Sequence, residues 1–384
     1  MPDSFSPASI ADAASAGIRR VQVVAYRDID DPMAGGSELH LHEILSRWAA
    51  AGLDVDLRTV AGRDLAPSCE RNGYRVERRG GYYTGVARTA LAGIGRRFRD
   101  ADALVEVWNG MPVMSPLWWR GPRLTLLHHL HHELWHSTYP APIARFGSFV
   151  ERRVAPRFYR QGPVATLSAS SAGQIVADTV LHAEQVEVVP PGIADSFGKG
   201  PAVREPIVLA VARLTSAKRI DAIIRSVDAI RDRVPGVRLV VVGSGPELEG
   251  LASLAGELGI ADRVEFAGRV SDEELISHYQ AARVLAAASS SEGWGMTITE
   301  AAACGTPAVA SDIVGHRDAI GPNAGVLAAT DDALTDGLGR LLSDDAAWAA
   351  ASAAALDAAD RLSWDASAAS LLDLLVGDAR RRLG

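Results

Sequence analysis

The sequence predicts an α/β protein of two domains, each built around a mainly parallel β-sheet. Short apolar segments of strand character alternate with longer helical segments, which is the pattern of repeated β-loop-α-β units. Two such series are separated at 191–206 by a stretch rich in proline, glycine and charge. The 384 residues suffice for two domains of ordinary size, and 48% of them are hydrophobic, so each domain can bury a core.

The first series contains a glycine pair at the start of its first helix. A strand of the buried kind at 18–25 leads to Gly35 and Gly36, a helix with an apolar face follows, and the next strand lies at 53–60. Such a pair usually only makes a turn, but its place after a first strand favours an approach of the backbone to a ligand. The chain continues with predicted strands at 74–77, 103–107, 124–127, 164–167 and 186–189 and a basic helix at 151–160.

Five histidines lie between positions 128 and 136, directly after the strand at 124–127. Pairs of them four residues apart could bind zinc on a helix, but the fixed zinc-binding signatures are absent. His128 stands at the carboxyl end of the strand, where ligands collect in parallel α/β sheets. We therefore expect His128 to face the ligand site, and the other histidines to shape an acceptor pocket or to pack.

The second series opens with two cations placed before a helix. The predicted strand 207–211 is followed by Arg213 and Lys218, and a helix is predicted at 220–232. Arginine can bind a diphosphate bidentately, and lysine can bind it as a point charge. The alternative is a pair of solvated bases, but cations at a helix N-terminus oppose the helix dipole, so an anion is expected to compensate them.

Two further turns of the second series contain glycine at strand ends. The strand 237–242 ends in Gly243, which starts the turn Gly-Ser-Gly-Pro, and this turn suits a close approach of the backbone to a ligand. The strand 263–266 is followed by a glycine and then by Arg269 and Val270, where we expect the edge of a nucleobase. Neither turn is specific on its own.

The stretch 289–307 is the centre of the predicted site. A glycine-bearing turn separates a buried strand from a helix at 297–304, and the N-terminus of such a helix can bind an anion. Glu292 lies in the turn and Glu300 in the first turn of the helix, where carboxylates suit sugar or ribose hydroxyls. Thr297 and Glu300 also match a capping box, so helix capping and ligand contact are equally open for Glu300.

The net charge of −8 conceals an uneven distribution. The first 190 residues carry 21 arginines, no lysine and 20 acids, whereas the remainder is acidic. Eight of these arginines lie between positions 71 and 99. We favour the interpretation that this cluster is a solvated basic face. The alternative is that it contacts an anionic acceptor or a membrane surface. Nucleic acid is not expected as a partner, because the whole chain is acidic and no binding motif is present.

The cysteines and the first residues indicate the compartment. Cys69 and Cys304 form neither a disulfide framework nor a paired metal motif, which suits a reducing cytosol. Residues 1–17 are polar and rich in alanine and serine, so we expect a disordered tail rather than a signal peptide. No uncharged apolar run approaches the length of a membrane span. We predict a cytoplasmic protein, with the inner face of the membrane as the second interpretation.

These motifs, in this order, resemble those of the retaining glycosyltransferases of family 4, and the resemblance covers about 18–375. The matching positions are Gly35 and Gly36, 168–171, 190–192, Arg213 and Lys218, 242–246, 268–270, and Glu292 with Glu300. The resemblance implies the GT-B fold, with two Rossmann-like domains facing each other across a cleft and a C-terminal helix returning to the N-terminal domain.

On this fold the chain divides into five parts. These are a tail at 1–17, an N-terminal acceptor-binding domain at 18–195, a linker at 196–206, a C-terminal nucleotide-sugar-binding domain at 207–364, and a C-terminal helix at 365–384. Ser363 and Trp364 resemble the family's crossover, where the chain returns to the first domain.

The resemblance also assigns roles to individual residues. Arg213 and Lys218 would hold the donor diphosphate, and Glu292 would bind hydroxyls of the donor sugar. Glu300 would bind the ribose diol, and His128 would lie near the transferred sugar. The catalytic group implied in this way is Glu292, Lys218, Arg213 and His128.

The remaining positions implied by the resemblance contact the donor mainly through the backbone. Gly36 would approach the phosphates from the first domain, and the amides of 293–297 would lie near the sugar and phosphates. Arg269 and Val270 would face the base. Besides the cations and glutamates, the donor-binding positions are Gly36, Gly243, Arg269, Val270, Gly293, Trp294, Gly295, Met296 and Thr297.

The resemblance and the predicted charges together lead to a function and a mechanism. A hexose-type sugar would move from a nucleoside-diphosphate sugar to a hydroxyl of a sugar, lipid-linked or natural-product acceptor. The cations and backbone N–H groups would stabilise the leaving diphosphate, and no second carboxylate is placed like a glycosidase nucleophile. We therefore expect same-face transfer with retention of configuration, without a divalent metal or another cofactor.

Two other functions remain open for the same two-domain plan. A sugar-nucleotide epimerase or hydrolase would consume the nucleotide sugar without an acceptor. A catalytically silent subunit would bind a partner, although the presence of both cations and both glutamates argues against it. Two departures from the family pattern, Arg219 where glycine is common and Trp294 where phenylalanine is usual, concern the fit of the donor rather than the class of reaction.

Overall fold

The computed structural model describes residues 7–62, 64–82, 84–131, 135, 140–201 and 204–383. The chain divides into two compact units. The first unit is Met1–Gly192 with Ser363–Gly384, and the second unit is Ile193–Leu362. The first unit is therefore made of two separate segments of the chain, and the C-terminal residues belong to it.

The first unit is built on an eight-stranded sheet with the strand order β3-β4-β2-β1-β5-β6-β7-β8. Its strands are β1 (Arg20–Val24), β2 (Asp54–Thr59), β3 (Ser68–Arg71), β4 (Tyr74–Arg78), β5 (Ala103–Val107), β6 (Arg123–Leu126), β7 (Val164–Thr166) and β8 (Val186–Val188). Neighbouring strands pair in parallel, except that β3 runs antiparallel to β4. Seven of these strands coincide with predicted ones; the edge strand β3 is polar and lacks an apolar run.

The first unit also contains α-helices. They are α1 (Pro7–Ser15), α2 (Gly36–Ala50), α3 (Gly85–Ile94), α4 (Ala141–Phe149) and α5 (Ala169–Asp178). In α2 the side chains of Leu41, Ile44, Leu45 and Trp48 are all buried. Their i, i+3, i+4, i+7 spacing places them on one side of the helix, so α2 is held against the sheet by the pattern that predicted it.

The predicted basic helix at 151–160 is not a single α-helix. The helix α4 continues into a π-helical turn, Val150–Val154, and then into a 3₁₀ turn, Ala155–Arg157. Pro156 has no N–H to continue an α-helical ladder. Glu151 is fully buried, so this segment turns a carboxylate into the interior and is not only a solvated basic surface.

The predicted disordered tail is helical over most of its length. Ala13 and Ala16 of this segment are 0% and 8% exposed, and Arg380 donates to Asp12 at 2.8 Å. The prediction of disorder is wrong for 7–15, because small alanine side chains let α1 pack closely on the C-terminal helix. Residues 1–6 lie outside the described part of the chain.

The second unit is built on a six-stranded parallel sheet with the order β11-β10-β9-β12-β13-β14. Its strands are β9 (Ile207–Val211), β10 (Arg238–Val242), β11 (Val264–Gly268), β12 (Val284–Ala287), β13 (Ala308–Ser311) and β14 (Gly325–Ala328). The strand order reverses at β9, because β10 lies on one side of it and β12 on the other. Loops that leave β9 and β12 therefore diverge at the position where such sheets bind ligands.

The helices of the second unit complete its core. They are α6 (Ile220–Ile230), α7 (Leu248–Glu257), α8 (Asp272–Ala281), α9 (Met296–Ala303), α10 (His316–Ala319), α11 (Asp331–Ser343) and α12 (Asp345–Ala359). The apolar face of α6 carries Ile220, Ile223, Ile224, Val227 and Ile230, all buried against the sheet. This packing fixes the N-terminus of α6, and with it Lys218, at the edge of the sheet.

The predicted linker 196–206 packs onto the second unit. Arg204 is only 7% exposed and donates to the carbonyl oxygen of Tyr279 at 3.1 Å. The N–H of Gly200 donates to the carbonyl oxygen of Cys304 at 3.0 Å. The described part of this segment is therefore held against the second unit, because a buried guanidinium binds backbone carbonyl oxygens there.

The last helix, α13 (Trp364–Leu383), packs on the first unit and confirms the predicted return of the chain. Its buried apolar residues are Trp364, Ala368, Leu371, Leu372, Leu375, Val376 and Ala379. The indole N–H of Trp48 donates to the carbonyl oxygen of Ala368 at 3.0 Å. Among the helices of the described residues, none has the length and hydropathy that a membrane span requires.

Most arginines between 71 and 99 are paired with acids. Arg78 is 3% exposed and donates to both carboxylate oxygens of Asp28 at 2.8 Å. The other pairs are Arg71 with Asp30, Arg75 with Asp54 and Asp56, and Arg79 and Arg97 with Glu77. Acids from distant strands thus neutralise much of the charge, and the expectation of a solvated face is wrong for Arg78.

Candidate active site

The candidate active site of the second unit lies at the carboxyl ends of β9, β12 and β13. The loops that follow these strands touch one another through hydrogen bonds. The N–H of Ser290 donates to the carbonyl oxygen of Ala217 at 2.9 Å, and the hydroxyl of Ser311 donates to the carbonyl oxygen of Ser289 at 2.6 Å. Because parallel strands end at one edge of the sheet, side chains from all three loops meet there.

Lys218 and Glu292 form an ion pair at this edge. The ammonium contacts Oε1 of Glu292, and the hydroxyl of Ser289 donates to the same oxygen at 3.1 Å. The side chains of the pair are 28% and 24% exposed, so both remain accessible from solvent. The structure therefore brings together a cation and a carboxylate that the sequence placed in separate motifs.

The protonation state of Glu292 follows from this pairing. Burial alone would raise the pKa of Glu292, but the charge and hydrogen bond of Lys218 outweigh it and hold the pKa below its usual range. Burial lowers the pKa of the neighbouring His316, although Glu292 acts in the opposite direction. At neutral pH Glu292 is therefore an anion beside a neutral imidazole.

Two glycines bring the loops of this site into close contact. Gly295 precedes α9 with φ 116°, and a Cβ there would lie 3.0 Å from the His316 ring. Gly315 has φ 90°, and a Cβ there would lie 2.7 Å from the carbonyl oxygen of Glu292. Both conformations favour glycine. The N-terminus of α9, whose first N–H groups have no partner within a helix, is thereby placed beside Glu292.

Glu300 is not the capping residue of its helix. The residue that precedes α9 is Gly295, so Thr297 and Glu300 do not form the capping box considered above. Glu300 lies in the second turn, and its Oε2 accepts a hydrogen bond from the buried hydroxyl of Tyr279 at 2.7 Å. Burial raises the pKa of Glu300, while the Tyr279 hydrogen bond opposes that shift. Glu300 is thus held as a hydrogen-bond acceptor, and within the described ranges it forms no ion pair with a cation.

The glycine turn after β10 packs against the backbone of the loop after β9. A Cβ on Gly243, which has φ 132°, would lie 1.9 Å from the carbonyl oxygen of Ala212. A Cβ on Gly245 would lie 2.2 Å from the carbonyl oxygen of Leu214. These glycines therefore let two loops of the protein approach each other, and the predicted approach of this turn to a ligand stays a prediction. Arg213 is half-buried and lies in the chain between Ala212 and Leu214, so these contacts fix the backbone on both sides of it.

The predicted base-facing positions follow β11 at the edge of the sheet. Arg269 is exposed and Val270 is half-buried. The carbonyl oxygen of Gly268 accepts a hydrogen bond from the N–H of Gly243 at 2.7 Å, so this loop continues the row formed by the loops after β10 and β9. The three loops thus form one continuous rim along the carboxyl end of the sheet.

Trp294 lies in the interior of the unit. It is 6% exposed, and within the described residues its indole nitrogen is buried without a hydrogen-bond partner. Gly293 is buried, whereas Met296 and Thr297 are half-buried at the start of α9. A contact of Trp294 with a donor would therefore involve its backbone rather than its ring.

In the first unit, Gly36 is exposed at the N-terminus of α2. Glu38 is 5% exposed and accepts a hydrogen bond from the N–H of Gly35 at 2.8 Å. Arg27 donates to the other oxygen of Glu38 at 3.2 Å. The glycine pair is thus held in place by a buried carboxylate, which leaves the backbone of Gly36 accessible.

His128 lies at the carboxyl end of β6, as predicted, but it is buried against another histidine. Its Nε2 lies 3.2 Å from Nδ1 of His40 in α2, and the hydroxyl of Thr166 donates to its carbonyl oxygen at 3.0 Å. Burial, with a contribution from His131, lowers the pKa of His128 to about 4. Burial likewise lowers the pKa of His40, so one hydrogen bond joins two neutral imidazoles.

The rest of the histidine cluster is only partly within the described residues. The N–H of His131 donates to the buried carboxylate of Glu151 at 3.0 Å, and its ring stacks on His129 with 4.5 Å between centroids. Positions 132–134 and 136 lie outside the described residues. Within the described ranges, no group of three or more histidines, cysteines or acids could hold a metal ion.

Three side chains of the site were not predicted from sequence: Ser289, Tyr279 and His316. Ser289 lies two residues after the end of the buried strand β12, which is a usable signal because polar residues after parallel strands reach the site edge. His316 follows a glycine in the loop after β13. Tyr279 lies 21 positions before Glu300, and no local pattern indicates that contact.

Comparisons with known proteins match both units of the chain. Residues 35–192 match the Glycosyl transferase 4-like domain, and residues 193–357 match the Glycosyl transferases group 1 family. The sucrose-phosphate synthase from Thermosynechococcus elongatus has a similar fold, with a TM-score of 0.78 at 22% sequence identity. That similarity covers 95% of this chain and 99% of the synthase.

Two related proteins align over most of their length. The GDP-mannose-dependent alpha-(1-6)-phosphatidylinositol monomannoside mannosyltransferase of Mycobacterium tuberculosis is 31% identical, over 91% of this chain and 97% of its own. The D-inositol 3-phosphate glycosyltransferase of Salinispora tropica is 29% identical, over 91% of this chain and 83% of its own. The chain belongs to the glycosyltransferases of family 4, which have the GT-B fold.

Proposed function

We propose that this glycosyltransferase moves a hexose from a nucleoside-diphosphate sugar to a hydroxyl acceptor with retention of configuration. The observation that carries the proposal is the contact of Lys218 with Glu292 beside the N-terminus of α9. A nucleoside-diphosphate sugar presents phosphate oxygens next to sugar hydroxyls, so the groups that bind them must also be neighbours. Lys218 and Glu292 meet this requirement although they are 74 positions apart.

The proposed roles use the hydrogen-bonding capacity of each group. Lys218 has three N–H donors, so it can bind a phosphate oxygen while it keeps Glu292. Glu292 accepts from Lys218 and Ser289 through Oε1, and its second carboxylate oxygen can accept from a sugar hydroxyl. Arg213 and the N–H groups of α9 add to the stabilisation of the charge that builds up on the leaving diphosphate.

We infer retention from the carboxylates of the site. Among the described residues of the loops after β9, β12 and β13, the only carboxylate besides Glu292 is Asp312, which accepts from Arg317 at 2.5 Å. Glu292 itself is paired with Lys218, which suits hydroxyl binding better than nucleophilic attack. Same-face transfer, in which the departing phosphate accepts the proton of the acceptor hydroxyl, needs no such nucleophile.

For the substrates we propose GDP-mannose as the donor and an inositol phosphate compound as the acceptor. Both related proteins carry inositol compounds in their names, and one of them is named as dependent on GDP-mannose. Support comes from the extent of the similarity, which covers 91% of this chain in each case and so includes both units.

Transfer of labelled mannose from GDP-mannose to phosphatidylinositol and to inositol 3-phosphate tests this proposal. We expect a product whose anomeric configuration, read by NMR, is that of the donor. A product of inverted configuration contradicts retention. Release of GDP at the same rate with and without acceptor would instead identify a hydrolase, and donor binding without turnover would identify a silent subunit.

Substitution of the two paired residues tests their roles. Lys218→Ala and Glu292→Ala are expected to lower kcat/KM by about a hundredfold or more, as removal of a group that stabilises the transition state does. Lys199 is the other lysine of the chain and is exposed, so Lys199→Ala is the control for Lys218→Ala. Glu249 is exposed on α7, so Glu249→Ala is the control for Glu292→Ala. Equal rates in site and control variants would refute the assignment.

We further propose that transfer requires no divalent metal, because Arg213 and Lys218 supply the positive charge that a metal would otherwise provide. The rate of mannose transfer is expected to be the same before and after treatment with EDTA. A rate that is lost with EDTA and restored by Mg²⁺ or Mn²⁺ contradicts this part of the proposal.

A further inference from the structure

A cavity of about 530 Å³ on the first unit is lined by arginines. We call it the arginine cavity and define it by Arg120, Arg123, Arg157, Arg160, His182 and Arg382. None of these residues belongs to the candidate active site or to the arginines between 71 and 99. The cavity therefore needs an explanation of its own.

The position of the arginine cavity follows from the topology of the first sheet. Arg120 precedes β6, Arg157 and Arg160 precede β7, and His182 precedes β8. These three strands are parallel, so their amino ends lie at one edge of the sheet. His128 follows β6 at the opposite edge. The cavity is thus separated from the predicted sugar-binding position of this unit by the length of the strands.

The charge of the arginine cavity is balanced by acids only in part, since among the described residues Arg382 pairs with Asp378. Arginine is always protonated, and the residues that line the cavity include five arginines and no carboxylate. Asp378 is the acid in contact with two of them. It is 3% exposed and accepts from Nε of Arg382 at 2.6 Å and from the backbone N–H of Arg123 at 2.9 Å. The arginines between 71 and 99, in contrast, mostly have carboxylate partners.

Neutral acceptors hold several of these guanidinium groups in place. Arg123 is 6% exposed, and it and Arg382 both donate to the carbonyl oxygen of Gln161, at 2.8 Å and 3.2 Å. Arg160 lies 2.8 Å from Nε2 of His182; arginine can only donate, so this imidazole nitrogen accepts and carries no proton. These guanidinium groups are therefore oriented, while most of the positive charge of the cavity has no carboxylate partner among the described residues.

We propose that the arginine cavity is a binding site for a phosphate ester. Several fixed guanidinium groups bind phosphate oxygens bidentately and concentrate an anionic ligand. The volume is in the range of small-molecule sites. Leu117 and Phe158, which are 52% and 41% exposed, also line the cavity and offer an apolar surface to the organic part of the ester. The ester can come from a soluble compound or from the headgroup of a lipid.

Two binding experiments distinguish these two sources. Calorimetry with glycerol 3-phosphate tests for a soluble ester. Sedimentation with phosphatidylcholine vesicles, with and without phosphatidic acid, tests for a lipid headgroup. The double variant Arg157→Ala/Arg160→Ala is expected to weaken binding about a hundredfold or more, because it removes two guanidinium groups and each charge-assisted hydrogen bond that is lost weakens binding about tenfold or more. Arg157→Lys/Arg160→Lys is expected to recover part of the affinity. Arg88→Ala/Arg145→Ala removes the same charge from two exposed positions elsewhere on the unit and is the matched control.

Each outcome of this experiment decides the proposal. If the cavity variant, but not the control variant, loses binding of glycerol 3-phosphate, a soluble ester is supported. If the cavity variant loses only the binding of vesicles that contain phosphatidic acid, a lipid headgroup is supported. Equal binding by the cavity and control variants overturns the proposal. The Lys218→Ala variant is expected to bind the probe like the original chain, and a loss there would assign the binding to the donor site instead. Thermal unfolding checks that all variants fold.

Discussion

Glu292 and Glu300 are identical residues eight positions apart, yet the fold shifts their pKa values in opposite directions. Both shifts begin from burial, which favours the protonated form. At Glu292 the charge of Lys218 overcomes burial, whereas at Glu300 the hydroxyl of Tyr279 is the side-chain donor among the described residues. A cation can keep a carboxylate ionised at a partly buried position, and a single neutral donor does so less well.

This difference predicts opposite effects on stability. Because the folded-state pKa of Glu300 is raised, its ionisation destabilises the fold at pH 7.5, and this penalty fades as the pH falls through the raised pKa. Glu300→Gln is therefore expected to increase the free energy of unfolding at pH 7.5, and to increase it less at pH 5. Glu292→Gln is expected to decrease it at pH 7.5, since the stabilisation of an acid with a lowered pKa is present above its usual range.

Urea unfolding at the two pH values, with Glu249→Gln as the exposed control, measures these effects. We also expect Glu300→Gln to bind the donor about tenfold more weakly, because a charged acceptor for hydroxyls is lost. A Glu300→Gln variant that is no more stable than the original chain at pH 7.5 would show that burial of this carboxylate carries no penalty.

At the scale of elements, glycines decide how closely the loops of the second unit approach each other. Gly243, Gly295 and Gly315 all have positive φ, and each lies where a Cβ would meet a neighbouring loop. Arg219 also has a positive φ of 49°, at the position where the resemblance to the family implied glycine. Its guanidinium donates to Asp331 at 2.7 Å and 2.9 Å, which offsets part of the cost of that conformation.

Substitution of Gly243 tests the importance of this packing. Gly243→Ala is expected to destabilise the protein by about 3 kcal/mol or more, because its Cβ would meet a backbone oxygen at 1.9 Å in a conformation that disfavours alanine. Gly250 in α7 has open space around it, so Gly250→Ala is the control and is expected to stabilise by about 0.5–1 kcal/mol.

Chemical denaturation of the two alanine variants gives both values. If Gly243→Ala is as stable as Gly250→Ala, the contact between the loops after β9 and β10 does not require glycine, and Arg213 is positioned by something else.

At the scale of the whole molecule, the two units differ in how they use the chain. The second unit is one continuous segment, Ile193–Leu362, whereas the first unit needs both ends of the chain. Leu371, Leu372 and Leu375 of α13 are at most 1% exposed. Each contributes about 2 kcal/mol on burial, so together they are comparable with the net stability of a domain.

This arrangement predicts different behaviour for fragments. A fragment of 193–362 is expected to unfold cooperatively on its own. A fragment of 1–192 is expected to lack a cooperative transition until 363–384 is joined to it through a short flexible linker. Circular dichroism during urea unfolding compares the three chains. Cooperative unfolding of 1–192 alone would mean that α13 is not needed for the core of the first unit.

Much of the fold could be predicted because it depends on local patterns. Seven strands of the first sheet, the strand β9, the helix α6 and the return of the last helix follow from apolar runs and helical periodicity. The edge strand β3 and the helix α1 escaped prediction, because polar and alanine-rich segments carry no clear periodic pattern. The role of Arg204 in the predicted linker depends on carbonyl oxygens that lie far away in sequence.

By itself, the sequence determined the order of most of the strands and the motifs that place the chain in its family, because both depend on residues near one another in the chain. Only the tertiary structure decided which distant groups meet: Lys218 with Glu292, Glu300 with Tyr279, and Arg78 with Asp28. The physical reason is that strand order, rather than spacing along the chain, determines which loops share an edge of a sheet. The shared edge then decides which charges are paired. It also decides which charges, such as those of the arginine cavity, are left to bind a ligand.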